Sequence, residues 1–188
     1  MTLGVLVSGR GSNLEAMLGA GLQVALVISN RAGVRALEVS SAHGVPTRVL
    51  SRVDFNDAGE RDAAIGEALT NADVRLAVLA GYDQQLRPTY FAAFAGRTIN
   101  VHPSLLPAHG GAGMLGLAVH RSVLGAGDAE TGVTIHEVTP DLDAGPILAQ
   151  ARVPVLAGDD AEMLAARVLA VEHRLLVATL NQLAADRA

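Results

Sequence analysis

The chain has 188 residues, of which 50% are apolar and 18% are charged, and its formal net charge is −5. This length and apolar content predict a single globular domain over residues 1–188 with a full hydrophobic core. The negative charge, the lack of Trp and the few Tyr and Phe residues argue against a nucleic-acid partner. The lack of Cys excludes disulfides and thiolate zinc sites.

The N-terminus does not have the pattern of a signal peptide, because it lacks a basic segment and a cleavage site with small residues. No apolar run reaches the roughly 18–20 residues that a membrane span needs. We therefore expect a cytoplasmic protein with no membrane partner.

Short aliphatic runs alternate with helical patterns through the first half of the chain. The predicted strands, all expected to be buried, lie at residues 3–8, 23–29, 46–50, 74–80 and 97–101. The predicted helices lie at about residues 12–20, 33–43, 57–71 and 88–94. This alternation predicts a Rossmann-like half, in which right-handed crossovers place helices on both faces of a parallel sheet.

The pattern changes after the fifth strand. Residues 102–116 contain four glycines and two prolines, and they predict a long loop with a functional role. The remaining predicted elements are a helix at 117–126, strands at 131–138 and 146–155, and a helix from Asp159 and Asp160 to about 184. The expected fold is α/β, with a mostly parallel, twisted sheet of about seven strands and a long C-terminal helix.

A glycine-rich segment, "VSGRGSNLEAM" at residues 7–17, joins the first strand to the first helix. Gly9 and Gly11 let the backbone approach a ligand closely, and the N–H groups of a helix N-terminus favour an anion such as phosphate. The alternative is a tight turn in which Ser12 is a simple helix cap. Both interpretations stay open from this segment alone, and Asn13 after Ser12 slightly favours a ligand.

Asn100 and His102 stand two residues apart at the end of the fifth predicted strand. Alternate side chains of a strand point to the same side, so the amide and the imidazole should face one ligand at the carboxyl edge of the sheet. Two such donors suit a carbonyl oxygen that becomes negative during an addition reaction. A carboxylate that manages protons is then needed, and Asp141 and Asp143 are both candidates. The alternative is that Asn100 caps a turn, His102 lies at the surface and the acids form turns.

The other histidines carry weaker predictions. His136 shares a predicted strand face with Thr134 and Val138, so lining a cleft and a packing role are both open. Surface or packing roles are expected for His43, His109, His120 and His173. No pair of histidines has the spacing of a zinc site, so we expect no metal.

Five segments together resemble the formyltransferases that use 10-formyltetrahydrofolate, and among them those that formylate phosphoribosylglycinamide (GAR) in purine biosynthesis. The segments are "VLVSGRGSNLEAM", "VLAGY", "INVHPSLLPAHGG", "TGVTIHEVTPDLDAGPILAQARVPV" and "ARVLAVEH". They occur in the family's order over nearly the whole chain, and "INVHPSLLP" with a downstream "LDAGP" is the specific pair. The resemblance implies transfer of a formyl group from 10-formyltetrahydrofolate, the co-substrate, to the amine of GAR. This reaction requires no metal, and we expect the protein to be a monomer or a homodimer.

The resemblance assigns roles to individual residues. It implies that Asn100 and His102 stabilise the oxyanion of a tetrahedral intermediate and that Asp143 assists the proton relay. Residues 1–100 would form the phosphate-binding half, and residues 101–188 the folate-binding and catalytic half. The substrate-binding residues that it implies are Gly11, Ser12 and Asn13 for the phosphate and Glu172 for the ribose. The folate-binding residues that it implies, largely through the main chain, are Tyr82, Asp83, Gln84, Gln85, Leu86, Thr139, Pro140, Asp141 and Leu142.

Some positions depart from the commoner pattern of that family. The segment 108–120 replaces a short turn, and Asp83 and Gln84 stand where apolar or basic residues are commoner. A basic residue often found before the third helix has only Arg52 and Arg61 as candidates.

The main alternative function is a formyltetrahydrofolate hydrolase, which shares this core and delivers the formyl group to water. Such a hydrolase would have no use for the phosphate loop or for Glu172. Methionyl-tRNA formyltransferase and a non-catalytic nucleotide-binding module are further alternatives.

Overall fold

The computed structural model of the chain describes residues 1–186, which form two compact units, Met1–Ile99 and the residues from Asn100 onward. The strands are β1 Leu3–Val7, β2 Val24–Ser29, β3 Thr47–Val49, β4 Leu76–Leu79, β5 Arg97–His102, β6 Glu130–Glu137 and β7 Ile147–Pro154. The α-helices are α1 Ser12–Gly19, α2 Arg35–Ala42, α3 Ala58–Asn71, α4 Pro88–Ala93, α5 Leu117–Ala126 and α6 Ala161–Ala185. One sheet has the strand order β3-β2-β1-β4-β5-β6-β7. The prediction of an α/β fold with a mostly parallel seven-stranded sheet and a long C-terminal helix is confirmed.

The first unit is a parallel α/β structure around β1. This strand pairs in parallel with β2 and with β4, and β2 pairs in parallel with β3. All five residues of β1, "LGVLV", are buried, as expected for a strand of a parallel sheet with both faces covered. A Cβ on Gly4 would lie 2.4 Å from Cδ2 of Leu69, so the glycine allows α3 to pack closely against this strand.

Local signals explain where several helices begin. The carboxylate of Asp57 accepts a hydrogen bond from the N–H of Glu60 at 2.9 Å at the start of α3, and Glu60 accepts one from the N–H of Asn56. Asp160 caps α6 in the same way, by accepting from the N–H of Met163 at 2.7 Å. Proline at the first position of α4 fits the fixed φ of that residue.

The second unit is built on an antiparallel pair of strands, β6 and β7, against which α6 packs. The register of this pair shifts between Ile135 and His136. Arg167 of α6 forms a two-point ion pair with Asp159, with N–O distances of 2.6 and 2.7 Å, and this pair lowers the pKa of the carboxyl group to about 2. The helix is therefore anchored at its N-terminus next to the end of β7.

The prediction that residues 46–50 form a buried strand is wrong. The strand is only Thr47–Val49, and all three residues are exposed because β3 lies at the end of the strand order, where one edge has no neighbouring strand. A short 3₁₀ helix, Arg52–Asp54, follows it and has no counterpart among the predicted elements. None of the helices within residues 1–186 has the length and apolar content to cross a membrane.

Candidate active site

The last three residues of β5 are Asn100, Val101 and His102. Strand alternation directs the side chains of Asn100 and His102 to the same side, as the sequence predicts. His102 is only 4% exposed, whereas Asn100 is half-buried. An amide and an imidazole therefore lie next to each other at the carboxyl end of a strand.

The orientation of the Asn100 amide is set by His136. Nδ1 of His136 lies 2.9 Å from the main-chain oxygen of Glu137, and a carbonyl oxygen can only accept, so Nδ1 carries a proton. Burial lowers the pKa of His136, which leaves the other nitrogen, Nε2, without a proton. Nε2 lies 3.1 Å from Nδ2 of Asn100 and accepts a hydrogen bond from it. The same amide nitrogen carries a second N–H that can be donated to a ligand.

His102 is held by the main chain of the following loop. Its Nε2 lies 2.9 Å from the carbonyl oxygen of His109, so this nitrogen carries a proton. Its Nδ1 lies 3.9 Å from Oδ2 of Asp143, a distance within ion-pair range and too long for a direct hydrogen bond. The imidazole therefore has one fixed nitrogen and one that faces a carboxylate.

Asp143 is the acidic residue that the structure brings to this group. Its Oδ1 lies 3.7 Å from Nε2 of His136, and its Oδ2 accepts a hydrogen bond from the N–H of Gly111 at 2.9 Å. Its side chain is only 11% exposed, and its backbone has a φ of 52°, in the left-handed region. Asp141, the other candidate, is exposed and has no side-chain contact with this group among those observed.

Thr134 anchors the loop that leaves β5. Its hydroxyl donates to the main-chain oxygen of Ser104 at 2.7 Å and accepts from the N–H of Leu106 at 3.0 Å. Gln150 donates to that hydroxyl and to the oxygen of Leu106. These bonds tie the segment after His102 to β6 and β7.

Two histidines that the sequence leaves in surface or packing roles lie near this group. His120 of α5 is 4% exposed, and burial together with the charge of His102 lowers its pKa. The ring of His109 contacts Ser122 and Asp128, while its carbonyl oxygen accepts from His102. No sequence signal pointed to His109, because the atom that reaches His102 belongs to the main chain.

In the first unit, the glycine-rich loop places Gly11 at the N-cap of α1. Its φ is 74°, and a Cβ at this position would lie 2.7 Å from the Cα and Cβ of Ala36, so glycine is required. Ser12 is not the N-cap, contrary to the capping alternative, because it is the first helical residue and the N-cap is Gly11, which has no side chain. Asn13 follows in the first turn and is buried. The N-cap position of α1 thus adds no side chain to the main-chain N–H groups of the first turn.

Two of the five residues in the predicted folate segment 82–86 have buried side chains. Tyr82 and Leu86 are 6% and 2% exposed, and burial raises the pKa of the Tyr82 phenol. Their side chains belong to the core, so only main-chain atoms of these two residues are candidates for ligand contact. In the second predicted folate segment, Pro140, Asp141 and Leu142 are exposed, and Thr139 is half-buried.

Asp83 is the centre of a polar cluster in the first unit. It accepts hydrogen bonds from Ser8, Asn30 and Gln84 at 3.0, 2.7 and 3.0 Å and pairs with Arg31. Burial acts to raise the pKa of Asp83, but these hydrogen bonds and the charge of Arg31 together lower it. Ser8, Asn30 and Asp83 follow β1, β2 and β4, so this carboxylate ties together the carboxyl ends of three parallel strands.

The two candidates for the basic residue before the third helix, Arg52 and Arg61, differ in how well their side chains could reach a substrate. Arg61 is 1% exposed, and its guanidinium binds Asp62 at 2.6 Å and Gln84 at 3.3 Å, so it is not presented to a substrate. Arg52 is exposed, with Nη1 bound to the oxygen of Phe55. Glu172 lies on α6 and is 9% exposed.

Within residues 1–186, no cluster of three or more His, Asp or Glu side chains has a geometry that could hold a metal ion.

Comparison with known proteins identifies relatives over nearly the whole chain. The formyl transferase family matches residues 1–180. The phosphoribosylglycinamide formyltransferase of Escherichia coli K12 is 39% identical over 183 residues, which is 93% of this chain and 83% of that protein. The trifunctional purine biosynthetic protein adenosine-3 of Gallus gallus is 39% identical over 96% of this chain, but the match spans only 18% of that protein. The crystal structure of glycinamide ribonucleotide transformylase 1 from Symbiobacterium toebii has a TM-score of 0.89 and 39% identity, and the match covers 95% of this chain and 85% of that one.

Proposed function

The chain belongs to the formyl transferase family, and on that basis we propose that it transfers the formyl group of 10-formyltetrahydrofolate to the amine of GAR in purine biosynthesis. The observation that carries the proposal is the group formed by Asn100, His102 and Asp143 around His136. The similarity to the E. coli enzyme extends over nearly the whole chain, and it supports the same reaction for this protein.

The reaction begins with attack by the neutral glycinamide nitrogen on the formyl carbon carried by N10 of the folate. A new C–N bond forms, and the formyl oxygen becomes an oxyanion in a tetrahedral intermediate. The N–H of Asn100 that is not donated to His136 is suited to bind this oxygen. His102 in its protonated form donates from Nδ1 and adds a positive charge beside the oxyanion.

The intermediate collapses when the bond between the formyl carbon and N10 breaks. The attacking nitrogen loses a proton and N10 gains one, so the products are formylated GAR and tetrahydrofolate. Asp143 faces Nδ1 of His102 at 3.9 Å, a separation that a single water can bridge. We assign to Asp143 the transfer of the proton between the two nitrogens.

The substrate phosphate is assigned to the loop at Gly11, Ser12 and Asn13, where the N-terminus of α1 presents main-chain N–H groups. Glu172 is assigned to the ribose. The folate is assigned to the main chain of 82–86 and of 139–142, since the Tyr82 and Leu86 side chains are in the core. We further propose that the protein acts in the cytoplasm as a monomer or homodimer on these two small molecules, without a metal.

The decisive experiment follows the absorbance change of folate deformylation with and without GAR. We expect turnover only with GAR. Equal turnover without GAR would identify a formyltetrahydrofolate hydrolase, and no turnover in either case would exclude both enzymes.

Two substitutions test the assigned residues. Asn100→Ala should lower kcat by about 100- to 1000-fold, the usual effect of removing one oxyanion donor. Asp143→Asn should lower kcat while the far-UV circular dichroism stays that of the wild type. Asn181→Ala, at an exposed position of α6, is the matched control and should behave as the wild type. Wild-type rates in Asn100→Ala or Asp143→Asn would refute the corresponding assignment.

A further inference from the structure

We propose that His109 is a positioning residue, whose carbonyl oxygen restricts proton exchange in His102 to Nδ1. This inference rests on the formyl transfer proposed above, since it explains how His102 is prepared for that reaction. It concerns the loop segment in which the sequence departs most from the commoner pattern of the family.

The contact itself fixes the state of one nitrogen. Nε2 of His102 lies 2.9 Å from the oxygen of His109, and this oxygen can only accept, so Nε2 keeps its proton whether the ring is charged or neutral. The proton that is gained and lost is then on Nδ1, the nitrogen that faces Asp143. Without the carbonyl, the neutral ring could place its proton on either nitrogen, and one of the two forms would have no proton at Nε2.

The backbone of His109 is in a conformation that a non-glycine residue rarely adopts. Its φ is 53°, in the left-handed region, where the Cβ of an L-residue is crowded. Such a conformation persists only when the surroundings hold it. Gly110 follows directly, but His109 and not this glycine adopts the left-handed conformation. This indicates that contacts of the His109 side chain hold the turn.

Both ring nitrogens of His109 are bound. Nε2 lies 2.7 Å from Oδ2 of Asp128, and because a carboxylate accepts, Nε2 carries the proton. Nδ1 lies 2.8 Å from the hydroxyl of Ser122 and accepts from it in the neutral ring. Ser122 is on α5 and Asp128 lies two residues beyond that helix, so the ring is fixed to a helix end. The carbonyl oxygen of the same residue is thereby held towards His102.

The surroundings of His102 explain why this fixation matters. Asp143 faces Nδ1, and the charge of His102 acts on both His120 and His136. A ring among these groups could turn or change tautomer as the charges around it change during the reaction. The hydrogen bond to His109 holds the ring in one orientation through both protonation states.

The test measures the tautomer of neutral His102 by NMR of the full chain with ¹⁵N-labelled histidine, with the signal assigned by its loss in His102→Gln. In the wild type, Nε2 should be protonated and Nδ1 unprotonated. His109→Gly keeps a residue that accepts the left-handed backbone but removes the ring, and it should give a mixture of tautomers. It should also lower kcat by about tenfold to a hundredfold, by analogy with the loss on removing the hydrogen-bond partner of a metal-binding histidine, with both KM values nearly unchanged.

Asp128 offers a second test that leaves His109 in place. Its side chain is 42% exposed, so Asp128→Ala should fold, and it should reproduce the loss of kcat and the mixed tautomers. Asp128→Asn keeps an oxygen that accepts from the ring and should restore most of both properties. His43→Gly is the matched control, because it removes an exposed histidine at the end of α2 and should leave tautomer and rate as in the wild type.

Two results would overturn the inference. One is a wild-type His102 with its proton on Nδ1 in the neutral form. The other is a single Nε2–H tautomer and wild-type kcat in both His109→Gly and Asp128→Ala. If the wild type does not formylate GAR, the proposed function fails, but the NMR result still decides whether the His109 carbonyl fixes His102.

Discussion

Gly11 is the residue of the glycine-rich loop whose replacement should be most costly to the fold. In Gly11→Ala, the new Cβ would lie 2.7 Å from both the Cα and the Cβ of Ala36, whereas carbon atoms normally approach to about 3.5–4.0 Å. One of these neighbours is a backbone atom of α2, which cannot move without moving the helix. The backbone of Gly11, with a φ of 74°, would also become unfavourable for alanine.

The two effects can be added for an order of magnitude. The left-handed conformation costs an L-residue about 1–2 kcal/mol, and overpacking at a close contact typically costs about 1–3 kcal/mol. We therefore expect Gly11→Ala to lower the free energy of unfolding by about 2–5 kcal/mol. For a protein of this size, each kcal/mol shifts Tm by about 2–4 °C, so the expected decrease in Tm is about 4–20 °C.

Chemical denaturation, followed by circular dichroism, measures this difference. Gly9→Ala is the matched control, since a Cβ at Gly9 meets no atom within 4 Å and its unfolding free energy should stay within about 1 kcal/mol of the wild type. The double variant with Ala36→Gly should recover part of the loss, because one of the two close contacts disappears. An unfolding free energy of Gly11→Ala equal to that of Gly9→Ala would refute the argument from the close approach of α2.

Two further predictions concern buried ionisable groups. Burial lowers the pKa of both His120 and His136. Below the usual histidine pKa of about 6.5, the unfolded state therefore binds more protons than the folded state. The free energy of unfolding is thus highest above that pH and decreases on acidification, by up to about 1.4 kcal/mol per pH unit for each histidine. Urea titrations at several pH values test this, and a stability that is unchanged or higher at low pH would contradict it. Asp62→Ala should cost about 3–5 kcal/mol because it leaves the buried Arg61 without its carboxylate, whereas Glu15→Ala, which breaks an exposed ion pair, should cost about 0–1 kcal/mol. Similar losses in these two variants would show that burial does not decide the outcome.

The parts of the fold that could be predicted are those in which local pattern and burial agree. The run "LGVLV" predicts a buried strand because it has no polar face, and β1 is buried on both sides. The run "PTRVL" at 46–50 also ends in aliphatic residues, but its place at the edge of the sheet depends on the order of strands, which local pattern does not contain. Strand order is a property of long-range pairing, and this explains why β3 is shorter and more exposed than expected.

The candidate site divides in the same way. Strand alternation is local, so the common direction of Asn100 and His102 could be predicted from two positions in the sequence. The hydrogen bond between Asn100 and His136 joins residues 36 positions apart, and no local pattern predicts it. Asp143 could be named only together with Asp141 from the residues, and the structure favours Asp143 because its carboxylate faces His102 and His136.

The loop after β5 shows why a departure in sequence need not be a departure in chemistry. Two of its contacts with the site come from main-chain atoms, the carbonyl oxygen of His109 on His102 and the N–H of Gly111 on Asp143. Any residue supplies these atoms, so their identity does not appear in a sequence motif, whereas the side chains that hold the loop in place can vary. Here the holding side chains are the His109 ring and its partners on and after α5, and a different loop could present the same two atoms by other means. The side chains that we propose to contact the reacting atoms are therefore the ones that a motif reveals, and the residues that position them become visible only in the structure.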